Sequence, residues 1–195
     1  LVAGLGKRRS AGVVGFRNLW IGRGGTVQAS AHMLYTDLAA AALQPVLYEQ
    51  GAARDTFEGR AAMITANATL VIRRLKHIDS ARARKIAEHV NRLALDGFDA
   101  AFRELGVGDS SIARKVRKLA ELHYGLGKAL MEALSVPHSE IHQTVSECAK
   151  RNGISEPGRE PLLAAFLLHN ATCFAAAADD DVLAGKLSWQ LPGQD

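Results

Sequence analysis

Phe102-Arg103-Glu104-Leu105-Gly106-Val107-Gly108-Asp109-Ser110-Ser111-Ile112-Ala113-Arg114-Lys115-Val116-Arg117-Lys118 is a helix stop set directly before a helix start. Gly106 stands where a C′ residue in the left-handed conformation ends a helix, with Val107 placed to pack back on Phe102. Asp109, Ser110 or Ser111 then supplies an N-cap oxygen for the next helix. Apolar residues recur at helical spacing on both sides of this break. Downstream they are Ile112, Val116, Leu119, His123, Leu126, Leu130 and Leu134; upstream they are Ala83, Ile86, Val90, Leu93, Gly97, Ala101 and Leu105, with Ser80 as the N-cap. A third stripe, Phe57, Ala61, Ile64, Ala68, Val71, Leu75 and Ile78, marks a helix of about 22 residues, ~33 Å at 1.5 Å per residue. Asp55 and Glu58 have the spacing of a capping box, so this helix starts near residue 56. Three long helices with short connectors pack as an antiparallel bundle. An N-terminal helix ended by Pro45 and two C-terminal helices flank them, giving an all-α single domain of about six helices. Strand-like alternation is absent, and alanine at 33 positions favours helix and close helix contacts.

With 195 residues, 48% of them apolar, the chain suffices for one domain with a core. Residues 1–28 carry five cations, no acid and, up to Val27, seven glycines, and read as a flexible basic segment ahead of a helical domain spanning 29–195. Their apolar runs are too short for a membrane span of about 20 residues or for the core of a signal peptide. The C-terminal run opens at Glu160-Pro161, with Pro at N1, and is lined by Leu162, Leu163, Phe166, Leu167, Leu168, Cys173 and Phe174. His169, Asn170 and Thr172 interrupt it, so it is a core or docking helix, and any membrane association is peripheral or through a partner. Cys148 and Cys173 show no Cys-x-x-Cys spacing, which suits a reducing compartment and encodes no zinc site. Asn67-Ala68-Thr69 and Asn170-Ala171-Thr172 match the glycosylation triplet by chance, since no secretory signal precedes them.

Fifteen cations against nine acids in residues 54–128 give way to four against nine in 129–195. With the cations of residues 1–28, a basic front and an acidic tail suggest one face for an anionic partner and another for water or a different protein. The densest basic cluster, Arg114, Lys115, Arg117 and Lys118, lies near a helix N-terminus, where positive charge is least favoured. It reads either as a solvated face or as a surface for an acidic partner, anionic lipid or RNA. Arg73, Arg74 and Lys76 form a second cationic cluster. Tyr48, Phe57, Tyr124 and Met131 are the apolar candidates for a binding groove, against a competing reading as core.

Catalytic constellations fail on spacing. His138 and His142 lie four apart on one helix face, but Glu140 points away from the pair and no third ligand is nominated, so no metal is assigned. His123 falls on an apolar row and reads as a hydrogen-bonded core histidine. Asp96, Asp99 and Asp179-Asp180-Asp181 are explained by capping and solvation, and no Ser-His-Asp or Cys-His set stands out. The reading is a non-enzyme with no cofactor, no DNA partner and no small-molecule substrate.

The same stretch carries a family resemblance. Arg103-Glu104-Leu105-Gly106-Val107-Gly108-Asp109, then Arg114-Lys115-Val116-Arg117-Lys118, then Ala120-Glu121-Leu122-His123-Tyr124-Gly125 resembles the ubiquinol-cytochrome c chaperone family. Upstream, Gln44-Pro45-Val46-Leu47-Tyr48, Asp55-Thr56-Phe57-Glu58-Gly59-Arg60 and Leu70-Val71-Ile72-Arg73-Arg74-Leu75 match as well, over about residues 30 to 135. Asp55, Gly59, Arg60, Gly106, Gly108, Asp109, Glu121 and Gly125 carry the structural part of the pattern. The chain departs from it at Ala66-Asn67, Gly97-Phe98-Asp99 and His123-Tyr124-Gly125-Leu126. The resemblance implies a chaperone that holds newly made cytochrome b, or another assembly component of respiratory complex III, in an apolar groove oriented by a charged surface. It implies work in the bacterial cytoplasm, peripheral to the inner membrane, or on the matrix side in a mitochondrion. The alternative is a basic helical module that binds RNA or the ribosome.

Overall fold

The computed structural model describes residues 26–106 and 109–192. Readings made for residues 1–25, for Val107 and Gly108 and for the side chains of Asp109 and Ser110 lie outside them. Eight helices follow in chain order: α1 (Val27–Ala42), α2 (Pro45–Glu49), α3 (Phe57–Lys76), α4 (Ala81–Glu104), α5 (Asp109–Ala133), α6 (His138–Arg151), α7 (Glu160–Ala176) and α8 (Asp179–Leu183). Six span 14 residues or more, and no strand occurs among the described residues. The fold is all-α.

Helix α3 is the axis of the bundle, packed by α1, α4, α5 and α7. A single apolar stripe underestimates it, because every residue from Thr65 to Val71 is buried. Its polar residues survive there by bonding locally. Thr65 donates to the Ala61 carbonyl (2.9 Å), Thr69 to that of Thr65 (2.8 Å), and Asn67 Nδ2 to Leu38 O on α1 (3.1 Å). Asn67 and Asn170 are fully buried, which takes both glycosylation triplets out of reach.

The break that set the reading is present. Gly106 adopts φ +69°, its amide donates to Arg103 O at 3.0 Å, and Leu105 caps α4. Helix α5 begins at Asp109, which puts Ser111 inside its first turn, and the side chains of Asp109 and Ser110 lie outside the described residues. Four other boundaries move. Thr56, not Asp55, caps α3, its hydroxyl accepting from Gly59 N at 3.0 Å, while Asp55 pairs with Arg60 at 2.7 Å. Pro45 opens the short α2 rather than ending α1. Pro161 is the second residue of α7, and α8 adds a further turn after it. Along α4 the buried row is Ala83, Ile86, Ala87, Val90, Ala94, Phe98 and Phe102, so the expected row drifts off the core and leaves Leu105 63% exposed. The expected row keeps to one face of the helix, whereas the buried row advances in steps of four, about 40° each, because α4 passes from the larger core at Ala83–Val90 to the smaller one at Phe98 and Phe102.

Two apolar cores result. The larger joins α1, α3, α6 and α7 with the near halves of α4 and α5. A smaller one, built from Ala61, Phe98, Phe102, Ile112 and Leu119, ties the α4–α5 turn to the start of α3. At Gly97 a Cβ would stand 2.2 Å from the Tyr35 hydroxyl, so the absence of a side chain lets α1 and α4 close.

Candidate binding groove

Helices α4 and α5 part over α3 and leave a groove of about 700 Å³. Ala68 and Ile72 of α3, Ala87 of α4, and Tyr124, Gly127 and Met131 of α5 give it an apolar lining, while Lys76, Arg84, Glu88, Lys128 and Glu132 set charges of both signs around it. Tyr124 is 56% exposed and Met131 half-buried. An apolar trough with a charged margin suits an amphipathic or apolar helix of a partner, the anchors going to the trough and polar groups to the margin.

Of the residues nominated from sequence, Tyr124, Met131 and Lys76 meet in this groove. Arg74 does not, and its reading as a surface cation is corrected. Its side chain is 9% exposed, with Nε donating to Phe174 O and Nη2 to Ala177 O, both at 2.7 Å, and to the Asp179 carboxylate. It holds the C-terminal end of α7 to the start of α8, where a cation complements the helix dipole. Arg73 donates to Leu134 O at 3.2 Å just past the end of α5. The second cationic cluster is therefore mainly a set of internal clamps. Phe57 stacks on Phe102 at 4.7 Å in the smaller core. Tyr48 donates to Ala42 O at 2.7 Å, lies under the Arg60 guanidinium at 4.8 Å, and has its phenol pushed up to about 12 by burial.

Arg114, Lys115, Arg117 and Lys118 are all exposed, on the half of α5 nearest the turn, and Lys115 reaches over the Phe102 ring at 5.8 Å. Gly59 is needed where it stands, since a Cβ there would lie 2.1 Å from Arg54 O, whereas Gly125 and Glu121 are exposed. His138 and His142 are exposed on α6. Among the described residues no group of three or more His, Cys, Asp or Glu is placed to hold a metal ion, and no helix is long and apolar enough to cross a membrane.

His123 is the buried, hydrogen-bonded histidine expected from its apolar row. It is 5% exposed, with Nδ1 at 2.9 Å from Thr65 Oγ1, Nε2 at 3.0 Å from Asn91 Oδ1, and Phe98 edge-on at 5.7 Å. Burial lowers its pKa. It also separates the groove from a second cavity of about 300 Å³, which Phe98, Leu119 and Leu126 line with Arg54 and Glu58. Asn91, Ile72 and Ala87 escaped the sequence reading because they join His123 and Tyr124 only through the packing of three helices.

The family model for the ubiquinol-cytochrome c chaperone matches residues 49–189. The chain belongs to that family. The match starts at the last residue of α2 and runs through α8, so it reaches well past residue 135 at the C-terminal side but leaves out residues 30–48, among them the Gln44–Tyr48 motif. The chain is also similar to the Cbp3 homolog from Brucella abortus, known as a crystal structure, with a TM-score of 0.71 and 26% identity over 84% of this chain and 90% of that one. No curated protein matches the sequence. Membership supports a role for this ubiquinol-cytochrome c chaperone in the assembly of respiratory complex III. Its departures from the motif pattern lie mostly inside. Ala66, Asn67, Phe98, His123 and Leu126 are buried, and Asp99 is engaged by Arg103 at 2.7 Å. Tyr124 is the residue of these segments that the groove presents.

Proposed function

We propose that this chaperone holds newly made cytochrome b by an apolar helix laid in the groove between α3, α4 and α5, while Arg114, Lys115, Arg117 and Lys118 orient the client. The single observation that carries the reading is the apolar trough itself, with Tyr124 and Met131 accessible in a domain of this family. Binding of this kind needs no covalent step. It needs anchors that desolvate on contact and charges that steer and set register. The place of action is the cytoplasmic side of a bacterial inner membrane, or the matrix side in a mitochondrion, where such helices emerge. Sixteen arginines to eight lysines and 33 alanines favour a bacterial host with a GC-rich genome.

The test compares three variants in the host. Tyr124→Asp with Met131→Asp puts charge into the trough. Glu at 114, 115, 117 and 118 reverses the basic surface, and Glu at Lys150, Arg151, Arg159 and Lys186 reverses an equal number of cations elsewhere. The first two are expected to leave the chaperone folded at normal level and to deplete cytochrome b, and the third to change neither. Normal cytochrome b in the first variant removes the groove from the mechanism, and normal cytochrome b in the second removes the basic surface. Depletion in all three points to net charge alone. Tight, steeply salt-dependent binding of RNA alone by the purified protein favours the RNA-binding reading instead.

A further inference from the structure

The second cavity, of about 300 Å³, lies across His123 from the groove, with Leu119, Leu122 and Leu126 of α5, Ala62 of α3 and Phe98 of α4 as its apolar walls. An apolar cavity of about 150 Å³ takes up benzene, so this one has room for a whole aromatic side chain. Leu122 stands at its edge 50% exposed, which opens the cavity to the surface. One cation is fixed beside it. The loop after α2 and the loop between α6 and α7 are joined by Arg54 N to Ile154 O (2.8 Å), Glu156 N to Gly51 O (3.0 Å) and Ser155 Oγ to Ala52 O (2.8 Å). Across the same junction Arg54 Nε donates to Ser155 O at 3.0 Å. That bond uses one of five N–H groups, and the two terminal nitrogens have no partner among the described residues. A guanidinium held in this way is pre-set to take a carboxylate through both of its free arms.

The basic cluster of α5 divides between the two sides of the helix. Leu122 follows Lys118 by four residues and Lys115 by seven, so these three share the face that borders the cavity, whereas Arg117 stands seven before Tyr124 on the face of the groove. Both lysines are exposed, and neither has an ion-pair partner among the described residues. Against Arg54, Lys115 and Lys118 the cavity lining sets one acid, Glu58. At 1.5 Å per residue Lys115 lies ~10 Å from Leu122 along the helix. Positive charge of that reach exceeds the span of a small anion and complements a chain that carries several carboxylates.

We propose that this cavity is a docking site for an acidic segment of a partner protein, which seats one aromatic side chain among Leu119, Leu122 and Leu126, pairs a neighbouring carboxylate with Arg54 and turns further acids to Lys118 and Lys115. The site goes beyond the groove reading and does not rest on it. A partner bound here leaves the trough between α3, α4 and α5 open, so one copy of the chaperone has places for two different proteins.

Fluorescence anisotropy on the full chain tests this with a labelled peptide of about 12 residues, a central Trp flanked by Asp and Glu on both sides in a Gly/Ser background. Saturable binding is expected, about thirtyfold weaker when Ala replaces the Trp, the size of a loss at a binding hot spot, and about tenfold weaker when Asn and Gln replace the acids. Leu122→Glu changes an exposed position, and Ala62→Leu fills the cavity from its wall, so both are expected to keep the fold and abolish binding. Arg54→Lys keeps the charge but not the fork and is expected to weaken binding about fivefold. Tyr124→Asp with Met131→Asp is expected to leave it unchanged, which separates this site from the groove. Absence of saturable binding, equal binding of the Trp and Ala peptides, or binding that survives both Leu122→Glu and Ala62→Leu overturns the inference. Loss in the groove variant alone places the peptide in the groove and overturns it as well. Displacement of the peptide by vesicles of phosphatidylglycerol and phosphatidylcholine, with vesicle binding lost in Leu122→Glu, assigns the surface to a bilayer in place of a protein.

Discussion

Replacing Arg74 by alanine tests whether the clamp between α3, α7 and α8 supports the fold. Three contacts are lost at once. Two are bonds from a charged donor to carbonyl oxygens at 2.7 Å, on Phe174 and Ala177, and such bonds contribute about 1.5–3 kcal/mol each. The third, to Asp179, adds at most about 1 kcal/mol because that carboxylate is 61% exposed and screened by water. Phe174 O also accepts from Ala177 N at 3.2 Å and is not wholly orphaned, which brings the sum toward the lower end, about 4 kcal/mol. In a domain of this size that lowers the melting temperature by ~8–16 °C. Arg74→Lys is expected to recover about half, since one ammonium cannot span both carbonyls as the guanidinium does. Arg73→Ala gives up a single bond at 3.2 Å from a half-buried side chain and is expected to cost about 1 kcal/mol. Urea unfolding followed by circular dichroism measures all three. A loss under 1 kcal/mol for Arg74→Ala, or equal losses for Arg73→Ala and Arg74→Ala, refutes the reasoning.

Two further outcomes follow from the packing. Gly97→Ala forces a Cβ to within 2.2 Å of the Tyr35 hydroxyl and is expected to cost about 1–3 kcal/mol, whereas Gly97→Ala with Tyr35→Phe leaves the nearest ring carbon at 3.4 Å and restores most of it; additive losses in the thermal double-mutant cycle contradict this. Burial, opposed by Arg60 and reinforced by Asp55, raises the Tyr48 phenol from 10.0 to about 12. Between those values the unfolded chain has released a proton that the folded chain keeps, so this contribution is complete below pH 10 and is lost as pH rises toward 12. Tyr48→Phe is accordingly expected to flatten the alkaline decline in stability without abolishing it, because burial raises Tyr35 as well; an unchanged slope between pH 10 and 12 counts against it.

The sequence by itself determined what depends on neighbours along the chain. Periodicity at 3.6 residues marked the long helices, Gly106 marked the stop because a left-handed residue is cheapest without a Cβ, and Ser80 marked a cap by its hydroxyl alone. Linked motifs at fixed offsets identified the family, and an apolar row predicted that His123 would be buried. Tertiary structure decided everything that depends on which helices meet. Residues 65–71 of α3 are buried on every face because four helices surround it, a property its own amphipathic pattern does not carry. Arg73 and Arg74 look the same in sequence as Arg114 and Arg117, yet Arg74 is an interior clamp because the end of α7 brings two carbonyls to it. Tyr48, Phe57 and Met131 are all half-buried, yet only Met131 lines the groove beside the exposed Tyr124, since α4 and α5 diverge over that pair and not over the other two. A groove is a gap between elements distant in sequence, and local propensity holds no information about a gap.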